Sequence, residues 1–300
     1  MKLLIVGTLS NPTIRLKHDL DSIISSLGEE CEIEVYLVES DSKMSSYRFL
    51  DEQLRSRKNI ILCKMGNLKK NIPDRVERIR YCRNKYVSYI RENYSEKAWE
   101  YIVVADLDGM NSKLTKVGIG SSFKLLKKFD AVFANQKFGY YDLYALREEK
   151  WMPKDPFIEF YERVSEIRRT NKFKYFQSSR MRRVVFREKT KLIYEKMIKI
   201  NENDHPIEVD SAFGGLGIYN PRVFLESDYD IVDKSVCQSE HVDLHFKARQ
   251  LGFKFVINPK MINSHYNTHN INRVRAVRIL RANKIFLASK LSASGSAKTK

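Results

Sequence analysis

Acid is what this chain is short of. Against 54 Lys and Arg it carries only 37 Asp and Glu, a formal charge of +17. Its partners are therefore expected to be anionic: nucleic acid, nucleoside diphosphates, acidic glycans or an anionic membrane surface. Cysteine is scarce as well. The four present (Cys31, Cys63, Cys82, Cys237) include no pair at metal-ligand spacing, which excludes a disulfide scaffold and reads as buried thiols in a reducing compartment. Long apolar runs are missing too. No stretch approaches the ~20 residues of a membrane span, and Gly7 breaks the N-terminal run too early for a signal peptide, so residues 1–6 read as a first strand. No internal repeat is visible. What is present suits a globular chain: 43% hydrophobic residues, with 16 Tyr and 16 Phe as anchors, exclude wholesale disorder. Three hundred residues are enough for one large α/β domain.

Taken in order, residues 2–9 read as a strand and 16–27 as an amphipathic helix closed by Gly28. Residues 32–38 alternate Ile33, Val35 and Leu37 inward as a second strand, ending on the polar Glu39-Ser40-Asp41-Ser42. A helix over 45–56, a short strand over 59–63 and a long helix from Pro73 to about Tyr94 follow. Residues 101–105 are a strand, 118–128 a helix and 130–134 a strand. This alternation implies a mixed, mostly parallel α/β sheet flanked by helices, with ligands beyond the carboxyl ends of the strands.

The second half is less regular. Residues 155–200 are rich in Arg, Lys and aromatics and read either as a solvated helical face or as a surface for an anionic ligand. The three glycines of Ser211-Ala212-Phe213-Gly214-Gly215-Leu216-Gly217-Ile218-Tyr219 suit a backbone bend lying against a substrate. Residues 240–251 read as a helix and 253–257 as a strand. Residues 269–291, where Arg273, Arg275, Arg278, Arg281 and Lys284 interleave with apolar side chains, are expected to form a basic amphipathic helix. An anionic membrane surface is expected for it ahead of the alternative, a terminal helix docked on the body with a charged outer face. Residues 292–300 read as a disordered tail.

The chemistry concentrates at Tyr101-Ile102-Val103-Val104-Ala105-Asp106-Leu107-Asp108-Gly109. Five largely apolar residues give a strand buried on both faces. Alternation then points Asp106 and Asp108 the same way off its end, and Gly109 permits a sharp turn. Two carboxylates so close repel unless a cation joins them, and a divalent metal carrying a diphosphate is the natural partner.

Further residues fall in a specific order around this pair. Val38-Glu39-Ser40-Asp41-Ser42 and Arg78 to Arg83-Asn84 precede it. Ala134-Asn135, Tyr140-Tyr141-Asp142, Ser211 to Gly215, Glu240-His241-Val242-Asp243, Ile257-Asn258-Pro259 and His265 follow. Together they resemble nucleotide-sugar glycosyltransferases of the GT-A (Rossmann-like) fold, nearest to fungal-type mannan and capsule mannosyltransferases and their bacterial and viral relatives. The resemblance covers residues 1–268. It implies a hexose moved from a nucleoside-diphosphate sugar to a glycan or lipid-linked acceptor, with a UDP-sugar such as UDP-galactose expected ahead of GDP-mannose. It assigns Mn²⁺ or Mg²⁺ to Asp106, Asp108 and His265, and the nucleotide to Thr8, Glu39, Ser40, Arg83, Asn84 and Asp106. Glu240, Asp243 and Asp142 become the catalytic or substrate-positioning carboxylates; the structural alternative is that Glu240 caps its helix and Asp243 only forms an ion pair. Inverting relatives carry Glu-Asp where this chain has Glu240-His241, so retention is expected, at the cytoplasmic face of a membrane.

Two other classes compete. Val-Val-Ala-Asp-Leu-Asp-Gly also resembles the first motif of haloacid-dehalogenase-type phosphatases, but there the motif sits on an early strand and continues with Thr or Val, not Met110. A basic nucleic-acid-binding protein would explain the charge, yet no zinc finger, helix-turn-helix or RNA-recognition signature accompanies it. His241 and His245 stand at zinc-ligand spacing on one helix face, with no third ligand adjacent, and read as core or surface histidines.

Overall fold

The structure is a computed structural model that describes residues 1–54, 57, 59–170, 179–233, 239–266 and 270–271. The described residues form one eight-stranded sheet in the order β3-β2-β1-β4-β7-β5-β8-β6. The strands are β1 (Lys2–Leu9), β2 (Glu32–Glu39), β3 (Ile60–Lys64), β4 (Tyr101–Ala105), β5 (Ala131–Gln136), β6 (Ile207–Val209), β7 (Leu216–Tyr219) and β8 (Phe255–Ser264). Helices are α1 (Ile14–Leu27), α2 (Met44–Leu54), α3 (Arg75–Lys97), α4 (Lys116–Leu125), α5 (Pro156–Thr170), α6 (Ser179–Leu192), α7 (Arg222–Glu226) and α8 (Glu240–Gln250).

The apolar strands explain the layering. Leu3, Leu4, Ile5 and Val6 of β1 are all fully buried, as a parallel strand covered on both faces requires. Leu4 and Val6 join a core with α3, built on Tyr86, Val87 and Ile90. Leu3 and Ile5 face the other way, onto Leu16, Leu20 and Ile23 of α1. β1 pairs parallel with both β2 and β4, so Leu9, Glu39 and Ala105 end side by side on one rim. The fold class expected from the sequence, a mixed and mostly parallel sheet flanked by helices, is the one found.

Differences lie at the ends of elements and in the second half. α3 begins at Arg75, because Asp74 rather than Pro73 supplies the cap, accepting from the Glu77 N–H at 2.9 Å. It continues to Lys97, three residues beyond Tyr94, and stops with Ala98 in the left-handed region (φ 49°). Residues 155–200 contain the helices α5 and α6. The Ser211 to Tyr219 stretch is only partly a bend: Gly214 and Gly215 turn the chain, and β7 then runs antiparallel between β4 and β5. Gly214 (φ 67°) admits no side chain, since a Cβ there would lie 2.8 Å from the Ala134 carbonyl oxygen. The basic helix over 269–291 and the tail over 292–300 lie, but for residues 270 and 271, outside the described residues. Among the described residues no helix is long and apolar enough to cross a membrane.

Candidate active site

The rim where β1, β2 and β4 end opens into a crevice of about 700 Å³. Thr8 comes from β1, Ser40 and Asp41 follow β2, and Asp106, Leu107 and Asp108 follow β4; α3 contributes Arg83 and Cys82, and the start of α8 contributes Glu240 and His241. Asp142, Phe213, Arg15, Lys69, Arg75 and Arg78 line it as well. The crevice thus carries basic side chains alongside its carboxylates, which suits a ligand that is anionic along one side.

The aspartate pair is held by its backbone. Leu107 is 5% exposed and packs into the α1 side of the core, so its neighbours Asp106 and Asp108 are turned to the crevice. The Asp106 N–H donates to the Gly215 carbonyl (3.0 Å), and the Asn111 amide donates to the carbonyls of Asp106 (2.5 Å) and Gly215 (3.0 Å). Asp19, buried on α1, accepts from the backbone N–H of Gly109 (2.6 Å) and of Asn111 (3.0 Å). Burial pushes the Asp19 carboxyl up to about 6 against the pull of these N–H groups.

Arg83 is the cation beneath the pair, 4% exposed. Its Nε donates to Glu240 (2.9 Å), Nη1 to the Tyr86 hydroxyl (3.1 Å) and Nη2 to Asp106 (3.4 Å). Its guanidinium lies over the Phe213 ring at 5.4 Å. Asp106 is pushed up to about 7, first by desolvation; Arg83 pulls it down, while Asp108, Asp142 and Glu240 push it further up. Arg83 pairs with two carboxylates, Glu240 and Asp106, while Asp108 and Asp142 add negative charge near Asp106, a surplus that a divalent cation would relieve.

The donor set fits such an ion only in part. Asp106 and Asp108 supply hard oxygen ligands, but among the described residues no cluster of three or more His, Cys, Asp or Glu could hold a metal. His265 does not line the crevice. It sits edge-on to Phe138, ring centres 6.0 Å apart, and burial together with Lys137 and Lys113 lowers its pKa; two neighbouring ammonium groups disfavour a cation there.

Three other expected residues are also placed away from the crevice. Glu39 is fully buried, and its Oε1 accepts from the Ser42 N–H (3.0 Å). Asn84 ties α3 to the loop after α7, donating to Asp230 (2.6 Å) and accepting from the Tyr229 N–H (2.9 Å). Asp243 is fully buried and paired with Arg80 at 2.6 Å, while its other oxygen accepts from the Val232 N–H (3.3 Å). Its geometry is that of a strut between α8 and α3. Asp243→Ala, which strands Arg80, is expected to cost about 3–5 kcal/mol of stability while leaving nucleotide binding intact below the new melting temperature. An unchanged denaturant midpoint would contradict the strut. Asp142 does line the crevice, where its Oδ2 accepts from the Gly214 N–H (3.0 Å).

Of the two α8 histidines, neither is at the surface. His245 bonds Ser211 Oγ through Nδ1 (2.8 Å) and the Tyr219 hydroxyl through Nε2 (3.1 Å). Burial, then the Arg83 charge, lowers its pKa from 6.5 to about 3. The unfolded chain therefore binds a proton between these values that the folded one does not, so His245 contributes stability above pH 6.5 that is lost as pH falls. Asp19 and Asp106, with raised values, pull the opposite way, so the contribution must be read as a difference. The stability gap between wild type and His245→Gln is expected to shrink by about 2 kcal/mol between pH ~7.5 and ~5; a gap constant in pH would exclude a neutral His245.

Asp19 and Asn111 were not foreseen. The signal for Asp19 was available: it shares the inner face of α1 with Leu16, Leu20 and Ile23, and a carboxylate there needs a partner.

No known family model matches the chain, and no curated protein sequence does. Solved structures align with it at low similarity. The mannosyltransferase PcManGT from Pyrobaculum calidifontis, in complex with GDP-Man and Mn²⁺, aligns at 12% identity and TM-score 0.45 over 87% of this chain and 56% of its own. S. aureus TarS 1–349 aligns at 10% identity and TM-score 0.43 over 89% of this chain and 60% of its own. The chain thus spans less than two thirds of either structure.

Proposed function

We propose that this chain is a metal-dependent glycosyltransferase that moves a hexose from a nucleoside-diphosphate sugar to a glycan or lipid-linked acceptor. The observation that carries this reading is the Asp106/Asp108 pair, with Arg83 bonded to Asp106, in a crevice bounded by the ends of β1, β2 and β4 and lined also by Arg15, Lys69, Arg75 and Arg78. The leaving group of such a reaction is a diphosphate, and stabilising its developing charge is the main catalytic demand. Mn²⁺ or Mg²⁺ held by Asp106, Asp108 and the diphosphate itself would supply Lewis-acid stabilisation, with the ligand completing the coordination sphere that the protein leaves short. Arg83 would meet the diphosphate from below. Glu240, fixed by Arg83, and Asp142, fixed by Gly214, would orient the sugar. The first turn of α8 lines the same crevice, and the positive end of the helix dipole favours an anion there.

A thermal-shift panel of UDP and GDP with and without Mn²⁺ tests this. Stabilisation by a nucleoside diphosphate that needs the metal is expected, because a ligand binding only the folded state raises its melting temperature. Hydrolysis of p-nitrophenyl phosphate that Asp106→Asn abolishes would favour a phosphatase instead. Salt-sensitive RNA or DNA binding indifferent to Mn²⁺ and nucleotides would favour a polyanion binder. For the basic segment over 269–291 we propose peripheral attachment to an anionic membrane. Deleting residues 270–300 is expected to reduce sedimentation with anionic vesicles, and unchanged sedimentation would reject it.

A further inference from the structure

Among the described residues that line the crevice, His241 alone has buried side-chain polar atoms without a hydrogen-bond partner, and both ring nitrogens are in this condition. The residue is 3% exposed. Its ring lies flat on Phe213, centroids 3.9 Å apart and planes at 22°. Glu240 comes no nearer to Nε2 than 3.9 Å, and its carboxylate is engaged by Arg83 at 2.9 Å. One helical turn away, His245 is bonded through both nitrogens. The same helix therefore holds one imidazole satisfied on each side and one satisfied on neither.

An unpaired buried donor and acceptor destabilise a fold, whereas a phenyl ring would stack on Phe213 as well and leave nothing unpaired. Packing alone does not account for a histidine here. Burial and the neighbouring Arg83 charge keep the ring neutral, so it offers one N–H donor and one nitrogen acceptor. That pair is the complement of sugar hydroxyls, which both donate and accept.

We propose that His241 is a specificity-determining residue: on ligand binding its ring turns off Phe213 into the crevice it already lines and hydrogen-bonds a hydroxyl of a hexose. The inference rests on the glycosyl-transfer reading, which assigns no role to this residue. The hydroxyl belongs either to the donor sugar or to the acceptor, and the test separates the two.

The probes are UDP, GDP, UDP-glucose, UDP-galactose and GDP-mannose with Mn²⁺, and methyl hexosides as acceptors. Wild type that binds none of the nucleotides overturns the glycosyl-transfer reading, and this proposal with it. Otherwise, His241→Phe is expected to melt no lower than wild type and to bind the nucleoside diphosphate equally well. It should nevertheless lose roughly tenfold, the effect of one hydrogen bond, in a sugar-dependent quantity. Weaker binding or slower hydrolysis of the nucleotide sugar places the contact on the donor. A raised KM for the methyl hexoside, with donor binding unchanged, places it on the acceptor. His241→Asn, which keeps a donor and an acceptor at shorter reach, should recover part of the loss, and it carries the test should the phenyl variant fail to fold. If both quantities stay at wild-type values in a folded variant, the proposal is wrong.

Discussion

Asp108→Ala is expected to lower hexose transfer by roughly 10³-fold, the several kcal/mol by which a bound metal stabilises the charge developing on a departing diphosphate. It should do so without unfolding the protein. Asp108 is exposed, and the loop behind it is fixed by backbone groups: Asp19 clasps the N–H of Gly109 and of Asn111, and Asn111 holds the carbonyls of Asp106 and Gly215. None of these bonds uses the Asp108 carboxylate, so the melting temperature should stay close to wild type. The Mn²⁺-dependent part of the nucleoside-diphosphate thermal shift should vanish with it. Full transfer by the variant would contradict the metal assignment.

Arg83→Met should show the second large effect, on stability and activity together. The guanidinium is buried between Glu240 and Asp106, and removing one partner of such a pair leaves the other charged and desolvated, at about 3–5 kcal/mol. Adding Glu240→Gln should restore much of that loss, because a neutral amide tolerates burial where a carboxylate does not. Transfer should not return with it, since nothing then lies beneath the diphosphate. Urea titrations and initial rates on the two single variants and the double variant form the cycle that separates the roles. Recovery of both properties in the double variant would make Arg83 a counter-ion for Glu240 and nothing more.

The divide between what was legible and what was not follows the range of the interactions. Strand β4 and the aspartates beyond it were legible because burial and alternation act over a few residues. Expected residues that did reach the crevice were Thr8, Ser40, Arg83, Asp106, Asp108, Asp142 and Glu240. Glu39, Asn84, Asp243 and His265 did not; Glu39 is held locally, by the Ser42 N–H, but for Asn84 and Asp243 the cause is distant. Asp243 meets Arg80 across 163 positions and Asn84 meets Asp230 across 146, separations on which local pattern is silent. β7 was hidden for a different reason: a four-residue antiparallel strand following two glycines looks like a turn until β4 and β5 are in place on either side.

By itself the sequence determined the parallel half of the sheet, the rim on which its strands end and the carboxylate pair at that rim, since apolar runs and period-two alternation are local properties of the chain. Only the tertiary structure decided which charges share a site. Whether a buried Arg or Asp is a strut or part of a crevice depends on which partner arrives from another helix, and a desolvated charge settles with whichever partner the packing brings within hydrogen-bonding distance.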